Sequence, residues 1–124
     1  MYEYSEEIKL FKALTHPTRL AILEILRGGE QCVCHMESIL GQRQAYISQQ
    51  LMVLRDAGLL KDRRDGLNIY YRVVRPEIYS LLDAARQMAG MPAAKLTLAP
   101  VACTCPNCKE RNVHSVNLPA EFQN

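Results

Sequence analysis

Apolar side chains recur at helical spacing along most of the chain, except near residues 59–74, where two strand-like runs take over, the second (67–74) rich in β-branched and aromatic residues. Tyr4, Ile8, Phe11 and Leu14 share one face of a helix predicted over residues 5–14, with Ser5 as its N-cap ahead of Glu6 and Glu7. Thr15-His16-Pro17 breaks that helix, and His16 is expected to cap the next one. Pro17 suits the first turn of this second helix, predicted over residues 18–27, because its missing N–H is not needed there. Leu20, Ile22, Leu23, Ile25 and Leu26 make it apolar around most of its circumference, which predicts a central place in the fold. Gly28-Gly29 ends it. A short third helix is predicted over about residues 34–40, with Met36, Ile39 and Leu40 inward and His35 on its surface.

The next stretch organises the rest. Ile47, Leu51 and Leu54 recur at i, i+4 and i+7 in a helix predicted over residues 44–57, while Gln44, Ser48, Gln49 and Arg55 take the other surface. Gly58 supplies a left-handed stop. A strand-like run over residues 59–64, an Asp65-Gly66 turn signal and a returning run over residues 67–74 then predict a hairpin. A last helix is predicted from Pro76 to about Ala89, with an apolar stripe of Ile78, Leu81, Leu82, Ala85 and Met88 expected to meet the first helix and a second subunit. The fold expected is mainly α with a β-hairpin wing, a winged helix-turn-helix. Residues 1–90 form the domain, and residues 91–124 form a less regular tail marked by Pro92 and Pro100.

Charge sharpens this picture. Residues 43–75 carry seven Arg or Lys against three Asp, a net +4, whereas the first thirty residues are at −1 and the whole chain only at +2. Positive charge is thus gathered on the helix and hairpin that would meet phosphates. In such a geometry Gln44, Tyr46, Ser48 and Gln49 are expected to face the major groove of double-stranded DNA. Arg63, Arg64, Asn68 and Arg72 are expected to meet phosphates or the minor groove. A solvated hairpin with ordinary surface charges is the plainer reading of charge alone. The length suits one domain, and no apolar run approaches the roughly 20 residues that span a bilayer. The acidic N-terminus lacks a signal-peptide core, so a cytoplasmic location with reduced thiols is expected and no membrane partner.

Five cysteines, an odd number, fit a disulfide framework poorly and suit metal ligation or redox chemistry better. Cys32 and Cys34 stand at the start of the third helix. Residues two apart on a helix point roughly 200° apart, so both sulfurs reach one ion only where the backbone is extended or just entering the helix. A helix N-terminus favours thiolate; the plain alternative is that both cysteines fill core space. Cys103, Cys105 and Cys108 crowd into six residues of a polar, Pro-containing tail, with the C-x-x-C spacing that points two sulfurs at one metal. A redox-active pair is the competitor, but no βαβ pattern surrounds it. An extended chain from Gly90 to Cys103 covers roughly 40 Å, so the tail can reach the third helix of its own subunit or of a partner. Thiolates favour soft ions: four would suit Cd(II) or Zn(II), and three would suit As(III), Sb(III) or Pb(II).

The run from Ala13 to Leu23, the Cys32-Val33-Cys34 box and the run from Ile47 to Leu60 together resemble the ArsR/SmtB family of metal-sensing repressors, over about residues 5–90. The resemblance implies a homodimeric winged helix-turn-helix that holds its operator without inducer and leaves it when a metal binds. It carries Cys32 and Cys34 over as ligands. The chain departs from the family pattern in having His35 where Asp often follows the box, and Glu37 where arsenic sensors can have a third cysteine. Its N-terminal arm has no cysteine, which leaves the tail cluster as the available replacement. Asp83 is followed by no histidine on the last helix, so the zinc site of the zinc-sensing branch is not expected.

The function expected is therefore a repressor induced by As(III), Sb(III), Cd(II) or Pb(II) at Cys32, Cys34, Cys103, Cys105 and Cys108, with no organic cofactor. Two alternatives stand beside it: a repressor of the same fold that senses oxidation or reactive sulfur through a disulfide, and a non-DNA interaction module with structural zinc. No residue set supplies a nucleophile, base and oxyanion site, so an enzyme is not expected.

Overall fold

A computed structural model describes residues 3–91 of the 124; the tail cysteines Cys103, Cys105 and Cys108 lie outside the described residues. The elements run α1 (Ser5–Leu14), α2 (Pro17–Leu26), β1 (Gln31–Cys32), α3 (Val33–Leu40), α4 (Gln44–Asp56), β2 (Leu60–Asp65), β3 (Asn68–Val73) and α5 (Ile78–Met88). The winged helix-turn-helix expected from the sequence is what forms.

Helix ends follow local chemistry. Tyr4 rather than Ser5 takes the cap position of α1, and the Glu3 carboxylate accepts the Ser5 N–H at 2.8 Å. The acidic side chain thereby does the work assigned to the Ser5 hydroxyl. His16 caps α2 as expected: its Nδ1 accepts the Thr18 N–H at 3.1 Å, with Pro17 at the first helical position. Gly41 and Gly58 close α3 and α4 in the left-handed region, at φ of +63° and +83°.

The core lies between α2, α3, α4 and one face of the sheet. Ile22 and Leu23 of α2, Met36 of α3, and Ile47, Leu51 and Leu54 of α4 are wholly buried together. Each such side chain stabilises by roughly 1.5–3 kcal/mol relative to exposure. Helix propensity differs by only about 0.7 kcal/mol between ordinary residues, so packing is what fixes α4. His35, expected on the surface of α3, is instead 1% exposed. The cause is β1, which the sequence pattern did not show. Pairing of Gln31 with Tyr71 and Cys32 with Tyr70 pins the first turn of α3 beneath the sheet.

The sheet is antiparallel in the order β1-β3-β2. Asp65 pairs with Asn68, leaving Gly66-Leu67 as the loop. The turn thus sits one residue later than expected: Gly66 already supplies the positive φ of +63°, and Asp65 can remain in the ladder. Ile69, Tyr71 and Val73 turn toward the main core, whereas Tyr70 joins Cys32 and Cys34 in a smaller cluster on the other face.

Most of the apolar stripe of α1 points away from this core, and only Leu14 of it packs there. Tyr4, Ile8 and Phe11 are about half exposed, and Ala13 is the buried residue of the helix. Phe11 and Leu14 join Leu20, Leu81, Ala85 and Met91 around a groove of about 430 Å³ between α1, α2 and α5. Among the described residues no helix is long and apolar enough to cross a membrane.

Candidate metal centre and nucleic-acid interface

Cys32 occupies the N-cap of α3 with extended backbone (φ −83°, ψ 159°), and its Sγ accepts the His35 N–H at 3.2 Å. Cys34 lies within the first turn, its Cα 5.4 Å from that of Cys32. The extended conformation that two sulfurs at this spacing need in order to face one point is therefore present. The sulfurs do meet: they are paired as a disulfide, where the sequence reading expects reduced thiols. Cys32 is 1% exposed and Cys34 partly open, so a ligand must arrive from the Cys34 side. In reduced form the pair offers two soft donors on one side of the helix start. Among the described residues no group of three or more His, Cys, Asp and Glu gathers as a complete metal shell. A three- or four-thiolate site therefore needs donors beyond them.

A small cleft of about 210 Å³ opens beside these cysteines. Its walls are Cys32, Val33, Cys34 and Glu37 on the box side, Gln44 from the first residue of α4, and Leu67, Asn68 and Ile69 from the wing. The cysteine pair thus shares a cavity with both elements expected to touch DNA.

On α4, Gln44 and Gln49 are exposed and Ser48 is half-buried. Ala45 and Met52 are also exposed and fall in line with Ser48 and Gln49, completing a surface stripe. Helical spacing alone places both on that stripe, but neither carries a polar group able to read a base edge. Tyr46 is turned partly inward: its hydroxyl lies 3.3 Å from Thr18 Oγ1 and 3.3 Å from His16 Nε2, tying the start of α4 to the cap of α2. Burial, and then the charge of Arg19, lower the His16 pKa below its ordinary value. Deeper along α4, Gln50 accepts from Arg19 Nη1 at 2.9 Å, and Arg19 also donates to the carbonyls of Ala13 and Lys12.

Strand alternation divides the wing residues. Arg63, Asn68 and Arg72 share the Tyr70 face of the sheet, and Arg64, opposite Ile69, takes the other. Lys61 pairs directly with Arg72 across β2 and β3, a like-charge pair that an approaching phosphate would relieve. Arg63 is already engaged. Its Nη2 lies 2.6 Å from Glu30 Oε1, and its guanidinium sits 4.5 Å from the centre of the Tyr70 ring. On α5, Asp83 is bound to Arg27 at 2.8 Å, and this hydrogen bond lowers its pKa.

Known proteins agree with this geometry. Residues 16–62 match the family model described as bacterial regulatory protein, arsR family. An HTH-type transcriptional regulator of Mycobacterium tuberculosis is 40% identical over 86 residues, covering 68% of this chain and 75% of the relative. Its crystal structure superposes with a TM-score of 0.64 at 39% identity, over 70% of this chain and 88% of that one. The arsenical resistance operon repressor of Escherichia coli is 46% identical over 67 residues, covering 53% of this chain and 57% of that relative. A homodimeric winged helix-turn-helix DNA-binding domain from Mycobacterium bovis is similar at 29% identity and a TM-score of 0.63, over 69% of this chain and 80% of that one. On its fold, its matched motif and these relatives, the chain belongs to the ArsR family of bacterial regulatory proteins.

Proposed function

We propose that this chain is a dimeric transcriptional repressor that leaves its operator DNA when a thiophilic ion binds Cys32 and Cys34 together with thiolates of the tail cysteines Cys103, Cys105 and Cys108. As(III), Sb(III), Cd(II) and Pb(II) are the inducers that such a donor set favours. The observation that carries this reading is the shared cleft: Cys32 and Cys34 line the same 210 Å³ space as Gln44 of α4 and Asn68 of the wing. A ligand held there, or a tail drawn in by it, changes the spacing of the two DNA-reading elements without a long relay. Gln44, Ser48 and Gln49 read base edges, while Lys61, Arg72 and Asn68 meet backbone phosphates. The apolar groove between α1, α2 and α5 fits a second copy of the chain, and the homodimeric relative supports that assembly. The arsenical repressor of Escherichia coli supports a metalloid inducer.

The test is Cys34→Ser in the full chain. It should bind operator as tightly as the wild type under reducing conditions and no longer be released by the ions that release the wild type. Normal ion-driven release from this variant would remove Cys34 from the inducer site.

The disulfide favours a second reading, in which oxidation is itself the signal. Two thiols and one hydrogen peroxide give the disulfide and two waters. Peroxide-driven release without metal, reversed by a dithiol reductant, would select this reading over the first.

A further inference from the structure

Cys32, Tyr70 and Arg63 form one row across the sheet. Cys32 pairs with Tyr70 between β1 and β3, and Tyr70 pairs with Arg63 between β3 and β2, so all three side chains leave the same face. Because β3 lies between the other two strands, Arg63 can reach the β1 side only by crossing it. It does so over the Tyr70 ring, 4.5 Å from its centre, and meets both carboxylate oxygens of Glu30 through Nη2 at 2.6 Å and Nε at 3.3 Å. Glu30 immediately precedes β1 and stands two residues before Cys32. The wing arginine is thus bound by a carboxylate that immediately precedes the strand carrying Cys32, in a structure where both box sulfurs are engaged.

We propose that Glu30 competes with the operator phosphate for Arg63, so that engagement of Cys32 and Cys34 holds the wing in its DNA-released form. The fork of Arg63 takes a carboxylate or a phosphate in the same bidentate way, and the two cannot occupy it together. The Glu30–Arg63 pair is partly exposed, at 28% and 51%, so it is weak enough to exchange. Tyr70 is 2% exposed and packed against Cys32, so a shift at the sulfurs reaches the ring on which Arg63 rests. With the box disengaged, β1 is less constrained and Arg63 turns to the phosphate. Glu30 is on this account a positioning residue for the wing. The inference rests on the reading that chemistry at the cysteine pair drives release.

The test is a cycle of Glu30→Gln, Arg63→Gln and the double variant in the full reduced protein, reading operator affinity against salt concentration, with and without Cd(II). Without Cd(II), Glu30→Gln should bind several-fold more tightly at an unchanged log–log salt slope, since Arg63 already meets the phosphate there, and it should need more Cd(II) for release. Arg63→Gln should bind more weakly with a shallower slope, and adding Glu30→Gln to it should change nothing. Equal effects of Glu30→Gln with and without Arg63 would overturn the proposal, since Glu30 would then act only as a general negative charge. So would an unchanged affinity and an unchanged Cd(II) requirement in Glu30→Gln. Failure of Cd(II) and of peroxide to release even the wild type would overturn the sensing reading instead. The metal-free cycle would still decide whether Glu30 and phosphate compete.

Discussion

Arg19 is the residue whose removal should most clearly loosen α4 without touching its surface. Its guanidinium joins three places: Nε to the Ala13 carbonyl at 2.7 Å, Nη1 to Gln50 Oε1 at 2.9 Å, and Nη2 to the Lys12 carbonyl at 3.1 Å. The end of α1 is thereby clasped to the middle of α4. Arg19→Met keeps most of the aliphatic stem and deletes all three bonds. The Lys12 carbonyl is exposed and keeps the Thr15 N–H and Oγ1 as donors, so its bond counts for little. The other two are shielded, and Gln50 is only 8% exposed. A bond involving a charged group contributes about 1.5–3 kcal/mol, and such contributions are not additive, so the loss should be roughly 2–4 kcal/mol. Arg19→Lys keeps one donor and should lose about half as much. Urea unfolding at a fixed protein concentration measures this, because the proposed dimerisation would make stability depend on concentration. With a slope of about 1–3 kcal/mol per molar urea, the midpoint of Arg19→Met should fall by at least about 0.7 M. An Arg19→Met midpoint within about 0.3 M of wild type, at unchanged slope, would refute the clasp.

Two further outcomes follow from the helix ends. His16 caps α2 through Nδ1, and its folded pKa is lowered, first by burial and then by Arg19. The unfolded chain therefore takes the proton first; stability is full above the unfolded pKa of about 6.5 and is lost as pH falls through the lower folded value. Thermal unfolding between pH 8 and 5 should show that decline, and His16→Asn, a cap that does not titrate there, should flatten it. An equal slope in both proteins contradicts the assignment. At Gly58, φ is +83° and an added Cβ would meet nothing within 4 Å, so Gly58→Ala should cost only the left-handed strain of about 1–2 kcal/mol. Gly58→Asn should cost less, since Asn enters that region more readily. Melting temperatures that rank Asn below Ala would count against this account.

Signals confined to one turn of chain were legible in the sequence. Helix α1 spans the predicted residues, Pro17 and His16 start α2 as read, and Gly58 stops α4. The wing was legible because a glycine turn is followed by a strand rich in β-branched and aromatic residues. What stayed hidden depends on distant partners. Two residues have no periodicity, so β1 exists only because β3 offers its edge, and the burial of His35 follows from that strand. Tyr46 reads as a base-facing residue by helical position, yet its hydroxyl is drawn to Thr18 and His16 across 28 and 30 residues. The engagement of Arg63 by Glu30, 33 residues away, has no local signature either. At the cysteine pair, spacing posed the geometric condition, and the extended backbone at Cys32 meets it.

The central claim is that soft ions act through thiolates to release DNA. The most direct measurement is operator binding by fluorescence anisotropy under reducing conditions, titrated separately with As(III), Sb(III), Cd(II), Pb(II) and Zn(II), for the wild type and Cys34→Ser. The wild type should be released by at least one of the four thiophilic ions at concentrations that leave Cys34→Ser bound. Release by Cd(II) and Pb(II) but weakly by As(III) would indicate about four thiolates drawn from both clusters, and release by low As(III) or Sb(III) would indicate three. Tight operator binding that none of these ions disturbs would contradict the account.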